Sequence, residues 1–569
     1  MFAVTMHASQ PPEFLTLGSV FLDIAEEFWL DLTMRTFPVI SAVFLAALFT
    51  SAPFQNAPAG SATWDLDPTS GDWNTSANWT PATVPNGPAD IASFALSSIT
   101  DISLSADINV DQIVFNPAAS AFAITTGPFK TLTFVGGITN NSGVRQNFVV
   151  QPSNQNSFES GVVFTGTSTA GSNTAFTLQG ATVGGVNYQG GVISFADSAT
   201  AGNAAFECEG AAVQNAGGGI VVFGGSSTAG TATLVTNPAL AAGLTPRGTV
   251  WFPISASADN CTITNNGAMQ SHLRGGLTLI EGESTAGNAT LIANGGLNGG
   301  LGGEIRINIR ASGGTCTIKV FGNGFLDISA HEDPGVTVGS LEGDGKVSLG
   351  PNNLNVGSNH RSTVFSGVIE DQGGALNGHG SLTKIGSGTL TLSRPSTYTA
   401  GTTVKSGTLL VKNTSGSATG SGAVQVATGT LAGNGIISGP VSLGTGTGRR
   451  ALLSPQNRNG IGVLSIQSEL SFNADGIYDC KVDSDTAAAD QVIANGVTMA
   501  GGTISISDHG SALLSPGTVL TIINNTAAPT INGTFANLPD GATLVIGQNT
   551  FQANYEGGDG NDLTLTVMP

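Results

Sequence analysis

Basic residues are scarce: 18 Lys and Arg stand against 38 Asp and Glu in 569 residues, a net charge of −20 with only 10% of the chain charged. A nucleic-acid partner is excluded on that balance, because a phosphate backbone is bound by displacing its counterions with a basic surface. The same shortage of Lys, Glu and Arg argues against long solvated helices and coiled coils. Cysteine is limited to Cys208, Cys261, Cys316 and Cys480, with no Cys-x-x-Cys pair and no Cys/His cluster, so neither a disulfide scaffold nor a zinc site is expected. Long apolar runs are missing too, apart from Phe37 to Phe49.

What is abundant is glycine, 80 residues, beside 40% hydrophobics. Glycine without a triplet period excludes collagen, and the apolar content is enough to build a core, so a turn-rich all-β chain remains. The run Phe37–Phe49 follows Met34 and Arg35 and precedes Ala57-Pro58-Ala59. Charge, apolar run and small-residue site in that order describe a secretory signal over 34–59, too short for a comfortable membrane span, although an anchor is the competing reading. Residues 1–33 fit no part of that pattern and are read as an upstream extension outside the native chain.

Self-similarity sets the fold expectation. Six corners begin Thr169-Ala170-Gly171, Thr200-Ala201-Gly202, Thr228-Ala229-Gly230, Ser257-Ala258-Asp259, Thr285-Ala286-Gly287 and Ser312-Gly313-Gly314; their second residues are 31, 28, 29, 28 and 27 apart. Each is followed by a short alternating run such as Ala232-Thr233-Leu234-Val235 or Ala289-Thr290-Leu291-Ile292, and a second run such as Ile220-Val221-Val222-Phe223 precedes the next corner. Strand-length runs separated by Gly, Asn and Ser at a period near 28 predict a right-handed parallel β-helix, a β-solenoid with three short strands per coil. Stacking at about 4.8 Å puts Leu234, Ile263, Leu291 and Ile318 in one interior column. Cys261 and Cys316 share another column with Ala289 between them; two coils separate them by about 9.6 Å, beyond the reach of a disulfide. The expected organisation is a capping β module over 60–150, regular coils over 151–330, a second solenoid region over 331–500 and a C-terminal β cap over 501–569.

In the second region Gly386-Ser387-Gly388-Thr389-Leu390-Thr391-Leu392, Tyr398 to Val404 and Ser406-Gly407-Thr408-Leu409-Leu410-Val411 closely resemble the autotransporter-associated β-strand repeat, also called the passenger-associated transport repeat, over 381–412. Gly420 to Val426 and Gly435 to Val441 resemble the sequence usually found downstream of that repeat; Asn554 to Leu563 resembles the ending, and Trp64, Trp73 and Trp79 before Val84-Pro85 the opening, of secreted bacterial proteins that carry it. The resemblance implies an extracellular β-helical passenger concerned with export or surface display, with no catalytic residue tied to the repeat. The expectation departs from the family in one respect: no alternating membrane-barrel strands come after the repeat, so outer-membrane attachment would call for another protein.

Four groups of residues could carry chemistry. Glu304, Arg306, Arg310, Asp327, His331, Glu332 and Asp333 offer the carboxylates and cations that polysaccharide lyases and hydrolases use on β-helix faces, but Glu304, Arg306 and Arg310 serve equally as outward strand residues. Asp475, Asp479, Asp483, Asp485 and Asp490 could share a cation; without the Gly and distal Glu of a calcium loop, a solvated face is expected. Gly557 to Asp562, including Asp559, resembles a calcium-binding nonapeptide turn whose apolar residue comes one position early, and a plain hairpin turn is preferred. Trp64, Trp73 and Trp79 would stack on sugar rings or plug the first coil, and the plug is preferred. No GxSxG nucleophile setting occurs. No catalytic, cofactor or metal residue is assigned. The reading is a secreted or outer-cell-surface, adhesin-like bacterial passenger without catalysis; a carbohydrate-active β-helix enzyme and a carbohydrate-binding surface protein are the alternatives. Its partners would be extracellular polysaccharide or cell-surface components, with no nucleic acid and no membrane segment once the signal is removed.

Overall fold

The computed structural model describes residues 60–153, 161–184, 189–242, 246–332, 335–456 and 460–569. The expected signal segment and the extension before it lie outside the described residues. One 3-10 turn, Ser76–Asn78, is the sole helical element among them; everything else regular is strand.

The corners explain why the chain coils. At five of the six the Thr or Ser hydroxyl accepts the N–H two residues on, as at Thr200 Oγ1 from Gly202 at 3.1 Å, Ser257 Oγ from Asp259 at 3.0 Å and Thr285 Oγ1 from Gly287 at 3.0 Å; Thr228 instead donates to Thr200 Oγ1 at 3.1 Å. Gly230 holds φ +57° there, and a Cβ on it would sit 2.6 Å from the Gly202 carbonyl of the coil before. Each corner therefore turns the chain and also lets successive coils approach closely.

Between corners the coils pair in parallel register. One face runs through Gly161–Phe164, Val192–Phe195, Ile220–Phe223, Thr249–Phe252, Leu277–Ile280, Glu304–Ile307 and Phe325–Asp327. A second runs through Ser172–Leu178, Asn203–Cys208, Thr233–Thr236, Thr262–Asn265, Thr290–Ala293 and Thr317–Val320. Leu234, Ile263, Leu291 and Ile318 are register partners and fully buried, as the 28-residue period requires.

The third strand of each coil is a difference from expectation. Through the regular coils it shrinks to one bridging residue per turn, the column Thr169, Thr200, Thr228, Ser257, Thr285 and Ser312. It widens into a true strand only at Val336–Val338, and from there a third parallel sheet continues through Asn353–Val356, Ser381–Lys384 and Gly401–Val404 to Val497–Met499. The reason is local: the hydroxyl-capped corner uses up the residues a strand would need. In the second region the coil also tightens. Register partners Leu382 and Thr402 are 20 residues apart, and Leu390 and Leu409 are 19 apart. Parallel coiling continues through Thr503–Asp508 and through Val519–Asn525, which pairs in parallel with Gln491–Ala494; on its other edge Asp562–Val567, Asn549–Gly557 and Thr543–Ile546 add antiparallel in a closing sheet.

The interior also holds two phenylalanine stacks. Phe134, Phe164, Phe195, Phe223 and Phe252 lie face to face with centroids 4.7 to 4.8 Å apart, and Phe148, Phe176 and Phe206 form a parallel row at 4.7 and 5.0 Å. The centroid spacing is the strand spacing, so the backbone ladder imposes the stacking. All four cysteines are free and buried, and Cys261, Ala289 and Cys316 occupy successive coils.

Candidate functional site

The residues with catalytic potential at the junction separate into three places. Glu304 and Arg306 project from the outer side of the first face, their neighbours Ile305 and Ile307 pointing into the core. Glu304 is held between two guanidiniums: Arg247 Nη1 donates to its Oε2 at 2.5 Å and Arg306 Nε to its Oε1 at 2.6 Å. Arg247 precedes Thr249, which stands two coils before Glu304 in the ladder Thr249, Leu277, Glu304. Its long side chain therefore spans about 9.6 Å of stack. The cluster is nearly dry, with side chains 8% exposed at Arg247 and 11% at Glu304. Burial works to raise the Glu304 pKa, but the charges of Arg306 and Arg247 outweigh it and hold the carboxyl far below the usual range. A carboxylate so depressed is a counter-ion and a poor proton donor or acceptor near neutrality.

Asp327 follows Arg306 in the next coil but is sealed. Its Oδ1 accepts the Ser329 N–H at 2.9 Å and its Oδ2 the Ala375 N–H at 3.1 Å, because the segment from Asp371 to Gly380 folds over it. Burial raises its pKa, opposed by the Ser329 contacts and by Arg306. Arg310 and Glu332 pair at 2.8 Å out on an exposed corner, with Glu283 at 3.4 Å from the same guanidinium. His331 is spent on the Ala311 carbonyl at 2.9 Å and on the carbonyl of Glu332. Asp333 lies outside the described residues. The structure thus brings together Glu304, Arg306 and a residue sequence reasoning missed, Arg247, in one cluster, and Arg310 with Glu332 in another; Asp327 bonds the N–H of Ser329, and His331 the Ala311 carbonyl.

The acidic group of the second region differs from the solvated face expected of it. Asp475 is buried and accepts backbone N–H groups from Gly446 at 2.7 Å and from Thr445 and Thr447 at 3.2 Å, pinning a glycine loop. Burial pulls its pKa up, but those N–H groups outweigh burial and lower it. Asp490 is wholly buried. It pairs with Lys481 Nζ at 3.0 Å and accepts the N–H of Gly462 at 2.8 Å and of Lys481 at 3.1 Å. Asp479 is half-buried and accepts the Ser454 hydroxyl at 3.3 Å, while Asp483 and Asp485 keep to the surface, capping turns through Thr486 and Ser511. Gly557 and Asp562 close an antiparallel hairpin, and Asp562 Oδ1 turns inward to the Asn525 N–H at 2.9 Å.

Trp64, Trp73 and Trp79 are at most 1% exposed. Trp73 and Trp79 meet edge to face at 5.0 Å, Trp64 and Trp79 likewise, and all three close on Phe94. Their indole N–H groups end on the carbonyls of Ile99, Pro85 and Trp73, so no ring is free to stack on a sugar and the carbohydrate platform is ruled out for this trio.

A serine–histidine contact was not anticipated: Ser387 Oγ lies 3.3 Å from His360 Nδ1. The same nitrogen accepts the Ser387 N–H at 3.2 Å, and no carboxylate bonds the ring among the described residues. The pair caps a corner of the repeat, where Gly386 at φ +66° lets the chain pass the Gly357 carbonyl. In the same corner Lys384, 1% exposed, donates to the carbonyls of Ile385, Gly386 and Ser406. Burial draws its pKa down to about 8.

Residues 382–411 match the family described as the passenger-associated-transport-repeat. They span the strands Ser381–Lys384, Thr389–Leu392, Gly401–Val404 and Thr408–Val411, within the tightened coils of the second region. The chain is also 29% identical over 168 residues to the extracellular serine protease of Serratia marcescens, a stretch covering 28% of this chain and 15% of that protein's length. The crystal structure of the Haemophilus influenzae Hap adhesin aligns with 84% of this chain and 64% of its own at 10% identity, with a TM-score of 0.27. The chain is an autotransporter-passenger-like β-helical protein that carries the passenger-associated transport repeat over residues 382–411.

Proposed function

We propose that this chain is a secreted or cell-surface scaffold whose work is adhesive display. The observation that supports this reading is where the polar groups go. Among the described residues every carboxylate of the junction and of the acidic segment that is buried is committed to a guanidinium, an ammonium or backbone N–H groups. The outer side of the second face, by contrast, offers in-register hydroxyls at Thr233, Thr262 and Thr290, with Asn260 and Asn288 hydrogen-bonded in a row beside them. Such a neutral, repeating array suits many weak contacts with extracellular polysaccharide or another cell surface.

The test is fractionation of producing cells and medium, with N-terminal sequencing of the recovered chain, followed by binding of that chain to immobilised bacterial and host glycans. Recovery outside the cytoplasm with glycan retention supports the reading; a cytosolic chain starting at Met1 overturns it. The segment shared with a serine protease supports hydrolysis as a second reading, tested on the same preparation by peptide-substrate turnover that a serine-reactive inhibitor abolishes.

A further inference from the structure

We propose that the loop from Gly444 to Arg450 is a processing site. A trypsin-like protease, with a carboxylate in its primary pocket, would cut after Arg449 or Arg450 and leave two chains joined as one solenoid.

Residues 445–450 are the longest unbroken exposed run among the described residues. They end in the only two adjacent basic residues of the sequence. Among the described residues neither Arg449 nor Arg450 takes part in an ion pair or side-chain hydrogen bond, so neither cation is spoken for. Gly446 and Gly448, at φ +75° and +83°, have nothing within 4 Å of the place a Cβ would occupy, so at these two positions the loop faces open space. Its first half is tied by Asp475 to the N–H groups of Thr445, Gly446 and Thr447; the ladder resumes only at Ala451, whose N–H reaches the Asp475 carbonyl at 3.1 Å. The dibasic pair is thus the untied half. Proteases need such a stretch free to enter their cleft, and small-residue loop tips supply it with least unfolding. Three other exposed cations sit on backbone already engaged: the N–H of Lys405 bonds Lys384, that of Lys412 bonds Leu392, and that of Arg361 bonds the Asn359 side chain.

The step is hydrolysis. Water adds across the arginyl amide, the C–N bond breaks, the arginine carbonyl keeps the oxygen as a carboxylate, and the next residue gains the proton as a new amino terminus. The pieces stay together because three parallel ladders cross the cut: Gly429–Ala432 with Ala451–Ser454, Val441–Leu443 with Leu470–Phe472, and Ile436–Ile437 with Ser465–Ile466. Leu431 and Leu443 on one side and Leu453 and Phe472 on the other are fully buried, so parting would bare a whole coil cross-section.

The inference rests on the extracellular reading only for where the protease is met, and limited trypsin treatment of the intact protein tests the loop without it. The expected result is a first cut that exposes Arg450 or Ala451 as a new terminus, fragments separating on a denaturing gel, and elution of the uncut size on gel filtration. The double variant Arg449→Gln/Arg450→Gln should lose that early cut with its urea midpoint unchanged. A first cut elsewhere, such as after Arg145, or pieces that part on gel filtration, overturns the proposal. So does chain recovered from the medium that is wholly intact across residues 444–451.

Discussion

Glu304→Gln removes one charge and almost no volume. Its consequence follows from the two guanidiniums that share the carboxylate, Arg247 at 8% and Arg306 at 20% side-chain exposure. Removing one partner of a buried ion pair typically costs about 3–5 kcal/mol, because the remaining charge stays dehydrated. Arg306 is the wetter of the two, so the lower end, about 3 kcal/mol, is expected. That is a large part of the 5–15 kcal/mol that holds a typical domain together. Urea unfolding followed by circular dichroism should show a lower midpoint at unchanged slope. The double variant Arg247→Met/Glu304→Leu should recover much of the loss, since an apolar replacement of the pair leaves one less charge dehydrated. The sign with pH is fixed by the depressed Glu304 pKa. Its contribution is fully present above the unfolded carboxyl value, about 4.3, and is lost only as pH falls through the lower folded value. The gap between wild type and variant should therefore hold steady from about pH 8 to about pH 5. A gap under about 1 kcal/mol, or one that closes between those pH values, would refute the argument that the three groups act as a buried counter-ion cluster.

Phe195 lies between Phe164 at 4.7 Å and Phe223 at 4.8 Å. Phe195→Ala should cost about 3–5 kcal/mol in urea unfolding, and Phe195→Leu about 1–1.5 kcal/mol; equal losses would mean that filling the space with an apolar side chain recovers nothing and that ring stacking carries the whole effect. Because burial draws the Lys384 pKa down to about 8, the folded chain binds fewer protons there than the unfolded chain above that pH. Stability should therefore rise as pH goes from about 8 towards about 10, and Lys384→Met should flatten that rise in thermal melts. Burial raises the thiol pKa of Cys208 and Cys316 to about 12 and that of Cys261 and Cys480 further, so alkylation at mildly alkaline pH should label no thiol in the native chain and all four after denaturation. Labelling of any one of them in the native chain would contradict the closed core.

Local repetition made the coil legible in the sequence. The corners at 170, 201, 229, 258, 286 and 313 recur because each needs a hydroxyl and a residue tolerant of positive φ, and that chemistry shows in the letters. The column of Leu234, Ile263, Leu291 and Ile318 follows from counting along the same period. Counting Phe164, Phe195, Phe223 and Phe252 would have revealed the aromatic stack in the same way. The Arg247 contact had no such signal, since 57 residues separate it from Glu304 and the pairing depends on side-chain reach across two coils. Nor could spacing show that the segment after Asp371 closes over Asp327, or that Asp475 and Asp490 face inward to N–H groups, because a carboxylate on a turn reads the same whether it meets water or backbone. The shrinking of the third strand to one bridging residue was hidden for a related reason: the Thr-Ala-Gly triplet that marks a corner also consumes the strand beside it.

The connections that leave the second face in the regular coils, at 209–219, 237–242, 266–276 and 294–303, recur once per turn on one flank, and their tips carry Leu240, Met269 and Leu297 more than half exposed. Ala181, Ala211 and Ala216 in this flank pack as a small cluster apart from the main core, so sequence can be exchanged at the tips one turn at a time without repacking the interior. A peptide grafted at each tip would be presented as an evenly pitched row about 4.8 Å apart. The molecule is thereby suited to multivalent presentation, in which affinity is set by how many tips are engaged at once.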